Sequence, residues 1–271
     1  MNPTRDQTET STPNLHQGTS GPSAWFPRPV SEHARLVLYW LPHSGGSAKR
    51  VNGWHGQFGD QVALCPVELP GRGTRSSEPA YTRIRPLIQD LAAAILDYHP
   101  ELPWAIGGHS LGALTAWETA RTIRDLGGDQ PRCLFLSQCC APQHITPDSP
   151  PISTRTDDEL ARHLGALGGI SPTLLASKAA MRMIASTFRP DATIRDHWHY
   201  RPSARLTAPI IAFAATDDAR VSADQVSYWH EETSGRFSMH TLPGNHFALY
   251  DDPTSPARSV ITRALTAEVN T

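Results

Sequence analysis

Lysine is nearly missing from this chain. Lys49 and Lys178 are the only two among 271 residues, and arginine carries almost all of the positive charge. The charges still balance, at 24 basic against 26 acidic side chains and a formal net charge of −2. That balance excludes the basic excess of a dedicated nucleic-acid binder, so no nucleic-acid partner is expected. No run approaches the roughly 18–20 apolar residues that cross a bilayer, so no membrane is expected either. Cysteine is scarce too. Cys65, Cys133, Cys139 and Cys140 form no CxxC pair, and none of the 13 histidines falls in an HExxH motif. No metal site is expected from such spacing. The four cysteines read as free thiols of a reducing compartment, the cytoplasm.

What remains is a globular balance, with 39% hydrophobic and 18% charged residues, long enough to bury a full core. Residues 1–23 are the exception. They are rich in Pro, Gly, Ser and Thr, and only Met1 and Leu15 are apolar. This composition cannot bury enough to order itself and contains no secretory h-region, so a disordered tail is expected over residues 1–30. Residues 31–271 form the expected domain. RLVLYWLPH (35–43), VALCPVELPG (62–71), PWAIGGHS (103–110), RCLFLSQCC (132–140), PIIAFAATDD (209–218) and FSMHTLPGNHF (237–247) read as strands running into loops. Helices are expected at 83–99, 111–127, 221–233 and 255–269, between and after them. This alternation predicts a mostly parallel sheet flanked by helices, an α/β fold. Residues 143–205 break it with polar helical stretches such as 156–167 and 177–188, read as a helical lid insertion.

The sharpest chemical signal is Gly108-His109-Ser110-Leu111-Gly112. It matches G-x-S-x-G between a strand and a helix, where glycines allow a turn tight enough to expose a strained serine. A serine hydroxyl needs a base, and the base needs an orienting acid. In α/β-hydrolases the chain order is serine, acid, histidine. Asp218 ends one strand and His246 follows the last, in the loop PGNHF. Asp217 is the rival acid. Asp218 is preferred because Val221 follows it at the spacing usual after the acid in α/β-hydrolases. His109 is expected to pack or hydrogen-bond beside the serine rather than act as base. An oxyanion hole needs backbone N–H groups, one from the residue after the nucleophile, Leu111, and one from the glycine-bearing loop after an early strand, where Ser44 is the donor.

Taken together, LPHSGGSA (41–48), ELPGRGTRSSEP (68–79), GHSLGALTAWETA (108–120), DDARVSADQVSYW (217–229) and PGNHFAL (243–249) resemble bacterial type II thioesterases. These are the stand-alone editing enzymes of polyketide and non-ribosomal peptide assembly lines. The resemblance spans about residues 35–265. It implies an α/β-hydrolase fold with a helical lid, no cofactor, and hydrolysis of acyl groups from the phosphopantetheine thioester of an acyl or peptidyl carrier protein. It implies Ser110 as nucleophile, His246 as base, Asp218 as acid, and Ser44 and Leu111 as oxyanion donors. The chain departs from the pattern in three places. Ser44 stands where alanine is usual, Ala219 where proline often follows the acid, and SQCCAP (137–142) where a glycine and two basic residues are usual. Cys139 and Cys140 read as core filling rather than as the lining of an acyl chamber.

Other chemistries run on the same triad. A carboxylesterase would cleave oxygen esters, and a chain-releasing transferase or cyclase would pass the acyl group to an amine or alcohol. A degenerate hydrolase would only dock a carrier protein, against which the intact triad speaks.

Overall fold

The run LVLYWL contains no polar residue because both of its faces are covered. In the computed structural model, which describes residues 23–251 and 255–270, it forms β1 (Leu36–Leu41), buried throughout. Val37, Tyr39 and Leu41 enter one core, and Leu36, Leu38 and Trp40 enter another on the opposite face. Four more strands follow the same logic, β2 (Val62–Pro66), β3 (Trp104–His109), β4 (Leu134–Ser137) and β5 (Ile210–Ala215), while the edge strand β6 (Phe237–Leu242) buries only Leu242 fully. All pairings are parallel, in the order β2-β1-β3-β4-β5-β6. The chain reverses its winding between β1 and β3, the point at which such sheets open a crevice beyond their carboxyl ends.

Helices cover both faces. α1 (Ile84–Tyr98) and α2 (Leu111–Asp125) supply Leu87, Leu91, Leu114 and Trp117 to the first core. Between β4 and β5 stand α3 (Asp157–Leu167), α4 (Pro172–Ala176) and α5 (Lys178–Asp196), which build a third apolar cluster of their own. α6 (Ala223–Ser227) and the short α7 (Ala248–Asp251) precede α8 (Pro256–Val269), whose Val260, Ile261 and Leu265 fill the second core. The expected α/β-hydrolase architecture, with its helical insertion, is the one adopted.

Differences from the sequence reading have local causes. The helix expected at 221–233 is α6 followed by a 3-10 turn over Tyr228–Glu232. α5 does not stop before Pro190 but continues to Asp196. Its second half is anchored by buried Asp191, Ala192 and Ile194, and that outweighs the lost N–H. Residues 1–22 of the expected tail lie outside the described residues. Residues 23–30 are packed rather than loose. Phe26 is fully buried, its ring 4.9 Å from that of Tyr39 and 4.7 Å from that of Tyr98. The Trp25 carbonyl accepts from Glu68 N–H at 2.9 Å. Two adjacent aromatics suffice to fix a segment whose other residues are mostly Pro, Ser and polar.

Candidate active site

Each residue singled out in the sequence sits just beyond the carboxyl end of a strand. Ser44 follows β1, Ser110 follows β3, Asp218 follows β5 and His246 follows β6. Ser110 is held at φ 57°, ψ −121°, a left-handed conformation that costs a non-glycine residue on the order of 1–3 kcal/mol. Tight backbone packing imposes it. A Cβ on Gly108 would lie 2.4 Å from the backbone of Gly112, and one on Gly112 would lie 2.4 Å from the Pro42 carbonyl oxygen. Both motif glycines are therefore sterically required. The Ser110 N–H donates to the Ser137 carbonyl at 2.8 Å, which pins the turn to the end of β4.

His246 Nδ1 and Asp218 Oδ2 are 2.7 Å apart, with side chains 2% and 0% exposed. Asp218 Oδ1 accepts from the N–H groups of Arg220 at 2.8 Å and Val221 at 3.2 Å. The spacing from Asp218 to Val221 thus has a physical meaning: the turn between them aims one carboxylate oxygen at the imidazole. Asp217 is exposed and accepts from the Thr216 hydroxyl at 3.0 Å, away from the histidine. The loop carrying His246 is tied to the acid loop. Asp217 N–H donates to the Gly244 carbonyl at 2.8 Å and Gly244 N–H to Thr216 Oγ1 at 3.1 Å.

Ser110, His246, Ser44 and Leu111 line one cavity of about 450 Å³, between the sheet edge and the inserted helices. Leu111 opens α2, where a backbone N–H has no intrahelical acceptor. Among the described residues, neither the Ser44 nor the Leu111 N–H donates to a protein acceptor. The two amides are thus unspent on the side of the cavity where the serine stands. α3 and α5 supply much of the opposite wall, including Leu164, Leu167 and Phe188.

Three further histidines share this end of the molecule. His109 is fully buried, its ring 4.9 Å from that of His246, with Nδ1 3.2 Å from Ser137 Oγ. It packs beside the serine, as the sequence reading held. Burial, then the positive potential of His246, His43 and Arg50, drives its pKa well below the usual value. Burial likewise lowers His43 to about 3, with help from Arg50 and His246. Burial also lowers His163, on α3, to about 4. His43, His109 and His163 are thus neutral near pH 7.

Sequence reasoning missed the clamp on the Ser44 loop. Arg72, from the LPGR segment, pairs with Asp191 on α5 through two hydrogen bonds of 2.5 and 2.7 Å, and both side chains are almost fully buried. Asp191 Oδ2 also accepts the Gly45 N–H at 2.7 Å, and Arg72 donates to the Gly46 carbonyl at 3.2 Å. The arginine was visible in a specific motif, but its partner lies 119 positions away in a helix read as merely polar. The unusual SQCCAP segment follows β4. Cys139 belongs to the first core, and both Cys139 and Cys140 line the cavity, so core filling and chamber lining coincide. All four cysteines are free.

Comparison with known proteins agrees with this geometry. Residues 37–263 match the thioesterase domain family. The chain is 32% identical over 235 residues to Linear gramicidin dehydrogenase LgrE of Brevibacillus parabrevis, covering 85% of this chain and 89% of that one. Despite that relative's name, the present sequence contains no G-x-G-x-x-G dinucleotide fingerprint. Among solved structures, the RedJ thioesterase of the prodiginine pathway in Streptomyces coelicolor superposes with a TM-score of 0.79 at 34% identity, covering 90% of this chain and 98% of that chain. The type II thioesterase BorB of the borrelidin cluster gives 0.78 at 27% identity, covering 93% and 100%. With a family match over most of its length and a serine elbow, a buried acid–histidine pair and two free amides on one cavity, the chain belongs to the thioesterase domain family.

Proposed function

We propose that the protein hydrolyses acyl groups from the phosphopantetheine thioester of acyl or peptidyl carrier proteins, clearing aberrant chains from a polyketide or non-ribosomal peptide assembly line in the cytoplasm. The observation that carries this reading is the strained Ser110 sharing a mostly apolar cavity with His246, which Asp218 holds from behind. Ser110 Oγ attacks the thioester carbonyl while His246 takes its proton. Asp218 holds the imidazole tautomer and steadies the imidazolium. The Ser44 and Leu111 amides receive the developing oxyanion, and one such donor is worth about 3–4 kcal/mol. The pantetheine thiol departs with the proton from His246. Water then gives its proton to His246 and its hydroxyl to the acyl-serine, releasing the acid and restoring Ser110. No cofactor enters this cycle. α3, α4 and α5 act as a lid over the acyl chain.

RedJ is a thioesterase of a biosynthetic pathway and BorB a type II thioesterase of a biosynthetic cluster, which supports a thioester substrate drawn from biosynthesis. The test is to incubate the protein with acyl-carrier thioesters and matched oxygen esters and follow products by intact mass. Hydrolysis of thioesters over esters, lost by at least about 10³-fold in Ser110→Ala, is the expected result. Preferred ester cleavage would make it a carboxylesterase, and amide or cyclic products a releasing transferase. Undiminished cleavage by Ser110→Ala would refute the assigned nucleophile, and carrier binding without turnover would leave a docking protein.

A further inference from the structure

The charges around the cavity do not balance. Lys49, Arg50, Arg195 and Arg220 all line it, and among the described residues no aspartate or glutamate does. Three of these four are accounted for. Lys49 is exposed to solvent. Arg50 faces Asp251 at 3.5 Å and lies over the Tyr250 ring. Arg220 donates two hydrogen bonds to Asp148, at 2.8 and 3.3 Å. Asp148 is shared further, with Arg155 at 3.7 Å. Arg195, on the last turn of α5, reaches only the Thr146 carbonyl, at 3.1 Å, and forms no ion pair among the described residues.

Asp148 acts on Arg195 through space, but the hydrogen bonds of that carboxylate go to Arg220. Cys139 and Cys140 are its neighbours, and burial pushes both thiols up, so neither supplies a thiolate. Burial and the adjacent Arg220 disfavour its charge, yet a guanidinium does not lose its proton near neutral pH. A charged guanidinium with one protein carbonyl partner leaves several N–H groups available to an anion at the cavity wall. The wall around it is otherwise built for an acyl chain, from Leu114, Ile145, Ile152 and Ala192.

We propose that Arg195 is a specificity residue that selects acyl groups carrying a carboxylate, which its guanidinium binds on the wall beside Cys140. This deepens the thioesterase reading and rests on it. The other anion that such a substrate brings is the phosphate at the outer end of the pantetheine arm. That group travels at the solvent side, where exposed Lys49 stands, whereas Arg195 lies among the apolar groups that receive the chain. The absence of acidic lining also sets the pocket against acyl groups with a free ammonium, which would meet only like charge.

Adipoyl and hexanoyl thioesters have the same length and differ in the terminal carboxylate, so they form the test pair. Each is offered on a carrier protein and as the N-acetylcysteamine thioester, which has no phosphate. The expected result is a parent enzyme that favours adipoyl in kcat/KM on both carriers. In Arg195→Gln the adipoyl-to-hexanoyl ratio falls at least tenfold on both, and in Arg195→Lys it falls less. Thermal melts identify any variant that fails to fold, and Arg195→Lys then carries the comparison. Hexanoyl turnover with no adipoyl preference would overturn the inference alone. An Arg195→Gln defect equal for both acyl groups and confined to the carrier-bound forms would assign the arginine to the phosphate and overturn it as well. No hydrolysis of any of the four would sink the thioesterase reading itself, and this inference with it.

Discussion

The ion pair between Arg72 and Asp191 gives the most demanding test of how the site is held. Its side chains are 3% and 2% exposed, and Asp191 Oδ2 serves both the arginine and the Gly45 N–H. Removing one partner of such a pair leaves an uncompensated buried charge, at a cost of about 3–5 kcal/mol. Asp191→Asn should therefore lose that much in urea denaturation, a large share of the roughly 5–15 kcal/mol typical of a domain. Replacing both partners by apolar residues, Arg72→Met with Asp191→Leu, removes the charge. The unpaired Gly45 N–H still costs about 1–3 kcal/mol. The double variant should thus be more stable than the single one, though short of the parent. Turnover should behave differently. In the double variant the 43–46 loop loses its tether to α5, so the Ser44 amide is no longer fixed toward the oxyanion, whereas in Asp191→Asn the amide oxygen can still accept the Gly45 N–H. The loss expected for a displaced donor is on the order of 10²-fold in kcat. Stability that recovers in the double variant while kcat falls is the signature of a positioning role. Parental kcat in the double variant, or a loss below 1 kcal/mol in Asp191→Asn, would refute the reasoning.

Two other outcomes can be measured on the same protein. Asp218→Asn should lower kcat about 10³–10⁴-fold, because an amide can hold the wrong imidazole tautomer, while Asp217→Asn should stay within about twofold; a reversed order would exchange the acids. Stability should also fall as the pH drops below about 6.5. His43, lowered to about 3, and His109, lowered well below its usual value, stay neutral when folded but take up protons when unfolded. The unfolded state then binds more protons, so His43 alone removes up to about 1.4 kcal/mol per pH unit below 6.5, or ~2 kcal/mol by pH 5, and His109 acts in the same direction. Urea midpoints at pH 7 and pH 5 would show it, and equal midpoints would contradict neutral burial.

The catalytic candidates were legible because their chemistry imposes local patterns. The two glycines around Ser110 are dictated by backbone contacts at 2.4 Å, and the acid's spacing to Val221 by a hydrogen bond from that residue's own N–H. The strands were legible because a sheet covered on both faces leaves β1 without a polar residue. The parts that escaped are those in which one element's meaning depends on a distant one. Asp191 looks like any polar helix residue until α5 is folded over Arg72. Residues 23–30 look like tail until Phe26 meets Tyr39 and Tyr98. Arg195 looks like one more arginine in an arginine-rich chain until its neighbours are seen to have spent their carboxylates elsewhere. In this molecule the candidate reacting groups are specified within short segments, and the contacts that hold and surround them are specified between segments. The inserted helices, rather than the triad, are therefore where a change of acyl preference should be sought.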